Sequence, residues 1–187
     1  GKININAKVE TMYNTRTKTP EFVDGYTYAT MLNEARATRA QELLYQPYEM
    51  ELLRLGLEPD LYPNVDWKDV LLKDGAMNYR ATLNLDGGGT TARYYVSASY
   101  TEEQGMYKTD KALKKDYNTN ANAKIWNYRL NTDIDITQTT LLKIGVSGSL
   151  KKMNEPGLGG DIWRSVMGQS PISIPLMYSN GYVPAYG

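Results

Sequence analysis

Between Trp126 and Leu150 the chain alternates in character almost residue by residue, and this stretch constrains its fold more than any other. Trp126, Tyr128, Leu130, Thr132, Ile134 and Ile136 share one parity; Asn127, Arg129, Asn131, Asp133 and Asp135 share the other. After Thr137-Gln138-Thr139-Thr140 the alternation resumes, with Leu142, Ile144, Val146, Gly148 and Leu150 opposed to Lys143, Gly145, Ser147 and Ser149. Successive strand side chains point to opposite faces, so this is a hairpin with one apolar and one polar side. Each arm is about ten residues long, enough for a tilted strand to cross a bilayer, whereas strands of soluble domains more often have about five or six.

Composition removes several classes of function. The 187 residues contain no Cys and no His, so there is no disulfide framework, no thiolate nucleophile, no imidazole base and no imidazole metal ligand. Twenty-one basic residues balance 21 acidic ones, and net charge steers the chain neither towards nucleic acid nor towards anionic lipid. A mean hydropathy of -0.53 and the lack of a long apolar run exclude a membrane-spanning helix, but alternating barrel strands never produce such a run. Tyr occurs 16 times and Trp 3 times against a single Phe. Rings with a polar tip suit membrane–water interfaces and sugar-stacking surfaces better than an ordinary core.

Taken in order, the spacing predicts five strands, near residues 2–13, 78–86, 92–101, 125–136 and 140–150. The first begins at once, so Gly1-Lys2-Ile3-Asn4 reads as strand, and a targeting segment for an exported protein would lie upstream. The connection 14–77 is expected to carry its own structure. Asp24 is a candidate N-cap for a helix from Tyr26 to about Leu44, with Tyr28, Met31, Leu32 and Ala35 as its stripe. Pro47 starts a second helix carrying Met50, Leu53 and Leu57 and interrupted by Gly56, and one or two helical turns are expected between Val65 and Leu72. Asp86-Gly87-Gly88-Gly89-Thr90 reads as a tight hairpin turn. Residues 102–124 read as a polar connection, and loop 151–187 includes a short helix near Ile162 to Met167 and a Pro- and Tyr-rich tail.

Long and short connections alternate along this chain. In an up-and-down meander that places every short turn at one end and every long loop at the other, the habit of outer-membrane barrels. Tyr13, Tyr79, Tyr100, Trp126 and Tyr128 fall on the apolar faces at the long-loop end of their strands, and Tyr94 at the short-turn end. Two aromatic girdles around an apolar band have this distribution. A soluble β-sandwich also alternates, but it gives no reason for the parity of the loops. The expected fold class is therefore all-β with a helical loop insertion: a partial antiparallel up-and-down transmembrane β-barrel. Five strands cannot close a barrel, whose smallest membrane forms have about eight, so the barrel reading makes this chain a fragment.

Several pieces resemble the SusC/RagA family of TonB-dependent outer-membrane transporters of Bacteroidetes. They are Asp24-Gly25-Tyr26-Thr27-Tyr28-Ala29 leading to Asn33-Glu34-Ala35, Leu61-Tyr62-Pro63-Asn64-Val65-Asp66-Trp67, and Arg93 through Tyr100. Tyr128 through Asp135 and Ser170-Pro171 with Tyr178, Asn180 and Gly181 complete the set. The resemblance implies a barrel of about 22 strands with an N-terminal plug. It implies import of glycans or peptides driven by TonB, and a SusD-like surface lipoprotein over the mouth. Gly1 would then follow the plug, and the plug, the TonB-contacting segment and most of the barrel would lie outside this chain. The implied partners are that lipoprotein, TonB through the missing part, an oligosaccharide or peptide substrate and outer-membrane lipid, with no nucleic acid. The resemblance carries over no catalytic residue and no cofactor.

Candidate sites divide accordingly. Asp86 to Thr90 lacks the Lys of a phosphate loop and precedes a strand, so it reads as a turn. Asp133 and Asp135 share a face about 7 Å apart, within the span of glycosidase carboxylates. With Arg129 and Lys143 beside them, a hydrated lumen wall explains them better. Trp67, Trp163 and Tyr178 lie in long loops as candidate substrate or partner contacts, where rings can stack on sugar faces; Trp67 reads first as an anchor of its own loop's core. Trp163 and Tyr178 read equally as contacts for a ligand or partner and as local packing. The principal rival reading is a soluble or surface-displayed all-β glycan-binding module; an enzyme is a distant third.

Overall fold

The computed structural model of the chain describes residues 2–109, 118–157 and 160–185. It divides into two compact units, one formed by residues 1–17 and 73–157, the other by residues 18–72 and 158–187.

The first unit is a single antiparallel sheet in sequence order, built from β1 (Asn4–Thr15), β2 (Gly75–Gly88), β3 (Ala92–Gln104), β4 (Asn122–Thr137) and β5 (Thr140–Asn154). β1 is as long as the alternation predicts but lies two residues further on, and β2 to β5 are longer, because pairing continues past the last apolar residue into Asn- and Glu-bearing segments such as Glu103↔Ala123 and Asn122↔Asn154. The polar connection expected over 102–124 is shortened from both sides, and its middle lies outside the described residues. The glycine turn also shifts. Gly87 and Gly88 belong to β2, pairing with Tyr94 and Arg93, and the chain reverses over residues 89–91. Gly88 sits at φ +149, where a Cβ would run into the backbone of Ala92 and Arg93.

Register decides what the sheet can do. Val9↔Ala81↔Tyr100↔Trp126↔Leu150 form one cross-strand row, Ala7↔Leu83↔Ala98↔Tyr128↔Gly148 the next, and Ile5↔Leu85↔Val96↔Leu130↔Val146 the next. All three rows lie on the same side, so the apolar faces of five strands merge into one surface. A slip of one residue in any pair would break it. The intervening rows, such as Asn6↔Asn84↔Ser97↔Arg129↔Ser147, are polar throughout. Ile5, Leu83, Leu130, Val146 and Leu150 are all exposed, so the apolar face of this sheet is uncovered.

The rings do not follow the hydrogen-bonded rows. Tyr13 pairs with Met77, two residues from Tyr79; Tyr79 pairs with Glu102, two residues from Tyr100; Tyr100 pairs with Trp126. The line of rings thus drops four residues across three strand gaps. At about 3.3 Å per residue and about 4.8 Å per strand, it slants by about 40° from the rows. Rings on such a line come level when the strands tilt by about 35–45°, the tilt of membrane barrel strands. Tyr100 and Trp126 touch within this line, with ring centroids 5.3 Å apart. Glycines lie beneath three rings of this face: the side chains of Tyr13, Tyr94 and Tyr128 occupy the space over Gly75, Gly87 and Gly148. This is how an aromatic ring covers backbone that a glycine leaves bare.

The second unit holds four helices, α1 (Gly25–Ala37), α2 (Pro47–Leu55), α3 (Trp67–Leu71) and α4 (Asp161–Gly168). α1 stops about seven residues short of the predicted end. Ala40 takes the left-handed conformation at φ 53, and the amide of Gln41 donates back to the carbonyl of Arg36, closing the helix without a glycine to announce it. Its inner face also differs from the expected stripe. Gly25 and Ala29 are buried and Tyr28 and Leu32 pack beside them, whereas Met31 is 57% exposed and Ala35 is exposed. Ala29, Leu53 and Ile172 form the small core, with Tyr45, Met50 and Tyr62 against it. Leu57 lies beyond Gly56, which ends α2 in the left-handed conformation, and is exposed. No helix among the described residues is long and apolar enough to cross a membrane.

Candidate functional site

Two surfaces carry the chemistry. The first is the polar face of the sheet. Near the short turns, Asp135 accepts two hydrogen bonds from the guanidinium of Arg93, at 2.8 and 3.1 Å, and Asp133 stands directly opposite Lys143. A carboxylate held in a guanidinium fork is neither a free nucleophile nor a proton donor, so this pair of aspartates is an ion network. Arg93 is the partner that the spacing does not single out. It comes from β3, a separate strand, and only the register brings it within reach. Arg129, by contrast, lies between Ser97 and Ser147, away from the aspartates. Around it Tyr95, Ser99, Asn127 and Ser149 complete a shallow depression of about 500 Å3, made by small hydroxyl side chains. Such a wall offers hydrogen-bond donors and acceptors, no apolar grip and one cation.

The second surface is a cleft of about 580 Å3 within the helical unit. Its walls join segments far apart in sequence. Asn64 accepts a hydrogen bond from the amide of Gly25 at 2.8 Å, where a side chain at residue 25 would collide with Asn64 and Ile172. The amide of Val65 donates to the carbonyl of Pro171 at 2.9 Å, and the indole N–H of Trp67 donates to the carbonyl of Ser170 at 3.1 Å. The motif pieces at 24–29, 61–67 and 170–171 therefore make one assembly. Asp60 extends it by accepting the amide of Ser179 at 2.9 Å.

Trp67 is half-buried and lines this cleft with Phe22, Tyr28 and Met167. Trp163 is 40% exposed on α4 and Tyr178 is half-buried in the tail; neither lines the cleft. Phe22 and Glu21, which do, stand in a turn-rich segment without periodicity, so nothing in the sequence marks them. Glu21, Asp24 and Asp66 are the charged groups of the lining, and two of these are already engaged as helix caps. Among the described residues no group of three or more His, Cys, Asp and Glu is placed to hold a metal ion.

Asp24 accepts the amide of Thr27 at 2.7 Å, and this hydrogen bond holds its carboxyl below the usual carboxylate range. A depressed folded-state value means that the cap stabilises above the unfolded value, about 3.9, and is lost as pH falls through the folded value. Replacing Asp24 by Ala is expected to cost about 1 kcal/mol of α1 stability at neutral pH and less at pH 3. Amide hydrogen exchange of residues 25–30 at the two pH values measures the difference; equal protection in both proteins at neutral pH would refute the cap. Tyr62 shifts the other way. Its hydroxyl donates to Glu49 at 3.0 Å, and its value is pushed up to about 12, chiefly by that bond. Its contribution is therefore complete below about pH 10 and disappears as pH rises towards 12.

The fold superposes on the RagAB peptide transporter with a TM-score of 0.63, covering 99% of this chain and 22% of that one at 18% identity. The chain has the fold of a SusC/RagA-like barrel segment. A TonB-dependent receptor of Formosa agariphila is 31% identical over 68 residues, which are 36% of this chain and 7% of the receptor. No family model matches the chain. The barrel segment thus spans less than a quarter of each protein it is similar to. Its five strands match part of that transporter's fold, in keeping with the partial barrel that the alternation and the loop parity predict.

Proposed function

We propose that this segment forms part of the wall of an outer-membrane, TonB-dependent importer. The observation that carries the reading is the continuous apolar face with its slanted line of rings, which has a physical use only where lipid covers it. Counted along β4 from Trp126 to Ile136, that face spans ten residue steps, or about 25 Å once tilted, the height of a barrel's apolar band. The polar face, with its balanced ion network and serine-lined depression, then faces the water-filled interior. The name of the RagAB peptide transporter favours a peptide cargo, and the tyrosine-rich loops suit either peptides or glycans. A SusD-like lipoprotein at the long-loop end is the proposed partner, with Trp163 and Tyr178 as contacts for it or for the cargo and Trp67 as a wall of the cleft.

The test uses the intact protein, tagged in its own cells. It is expected in the outer-membrane fraction, insoluble without detergent, and co-purifying with a surface lipoprotein. Loss of TonB is expected to stop accumulation of a labelled peptide or oligosaccharide. Changing Trp163 and Tyr178 together to Ala is expected to weaken lipoprotein retention or cargo binding by about 2 kcal/mol. A monodisperse, cooperatively melting protein in detergent-free buffer would instead support a soluble glycan-binding module.

A further inference from the structure

We propose that Lys124 and Lys152 form a seat for the phosphate of a lipid headgroup, a reading that rests on the apolar face meeting lipid. The register places these two lysines directly opposite each other on adjacent strands, on the same face as Trp126 and Leu150 and two residues beyond them. Like charges opposite each other on neighbouring strands destabilise a sheet unless an anion lies between them. The same row continues to Glu102 on β3, whose carboxylate is 3.9 Å from the ammonium group of Lys124 and accepts the hydroxyl of Tyr100 at 2.8 Å. One carboxylate, already shared with a tyrosine, thus faces two cations. The short-turn end of the polar face differs: there Arg93 and Lys143 are matched by Asp133 and Asp135.

Among the described residues no second carboxylate stands in this row, and the level of the lysines points to the anion that would match them. Two residues past the ring line is about 5 Å along the membrane normal for a tilted strand, which carries the lysines out of the hydrocarbon and into a headgroup layer about 5–7 Å deep. Lysine stems lie along apolar surface while their ammonium groups reach that layer. Above them Asn122 and Asn154 pair on the same face and bring no charge. A phosphate bridging the two ammonium groups removes their repulsion, and its acyl chains fall along Leu150, Val146 and Ile144.

Native mass spectrometry of the intact protein in mild detergent tests the seat, with phosphatidic acid, the matching diacylglycerol and inorganic phosphate as probes. Phosphatidic acid is expected to bind and diacylglycerol not to. The double variant Lys124→Gln with Lys152→Gln is expected to lose the tightest-bound phosphatidic acid, its apparent affinity falling roughly thirtyfold. The double replacement by Arg is expected to retain it, and Lys143→Gln, on the polar face, to leave it unchanged. Equal phosphatidic acid binding by the wild type and the Gln double variant would overturn the seat while leaving the membrane reading intact. Displacement by millimolar inorganic phosphate would overturn the lipid as its source. A protein that is monodisperse without detergent would overturn the membrane reading and the seat with it.

Discussion

A lysine introduced at Leu130 is expected to lower the folding stability of the membrane-embedded protein by about 2–4 kcal/mol, while one at the adjacent Asn131 changes it by less than about 0.5 kcal/mol. The two positions are neighbours on β4 with nearly the same distance to either strand end, so propensity and local pairing cannot separate them. What differs is the face. Leu130 stands in the apolar row between Val96 and Val146, midway along the band, where a cation has no water and no partner. Asn131 stands between Tyr95 and Gly145 on the polar side, where a lysine stays hydrated. Denaturant titration of the protein refolded into bilayers, read as the folded fraction by gel mobility, measures both. Equal costs at the two sites would contradict an apolar face turned to lipid.

Removing the side-chain amide of Asn33 is expected to have the largest effect within the helical unit. Its Oδ1 accepts the amides of Leu44 and Tyr45, each at 3.0 Å, and its Nδ2 donates to the carbonyl of Tyr45 at 2.8 Å. One side chain on α1 thereby satisfies three backbone groups of the segment that returns the chain to α2. Asn33→Ala leaves all three without their partner at a half-buried site, at a cost of about 2 kcal/mol, partly offset by water reaching the exposed Leu44. Amide exchange at residues 44–46 is expected to accelerate by more than tenfold with the sheet unaffected. Unchanged protection there would show that the segment is held by Tyr45 packing alone. Asn33→Asp keeps the acceptor and is expected to recover part of the loss.

The sequence alone determined the strands, their two-faced character and the end from which the long loops leave. All three follow from local rules: side-chain period, turn chemistry and loop length. It also showed that rings cluster near the loop end, and it supplied the motif pieces 24–29, 61–67 and 170–171. What only the tertiary structure decided depends on partners that lie far along the chain. Register merged five apolar faces into one and set the rings on a slant matching strand tilt. It also brought Arg93 to Asp135 and Lys152 beside Lys124, pairings whose members lie on different strands and leave no periodic trace. The same holds for the helical unit, where α1 ended early because Ala40 adopted a left-handed conformation that its side chain does not advertise. Ala29, not Met31, became the core because α2 and the segment around Ile172 pack on that side. A strand's alternation is written in its own residues; which neighbour each residue meets is set by the register, and that is where the candidate sites arise.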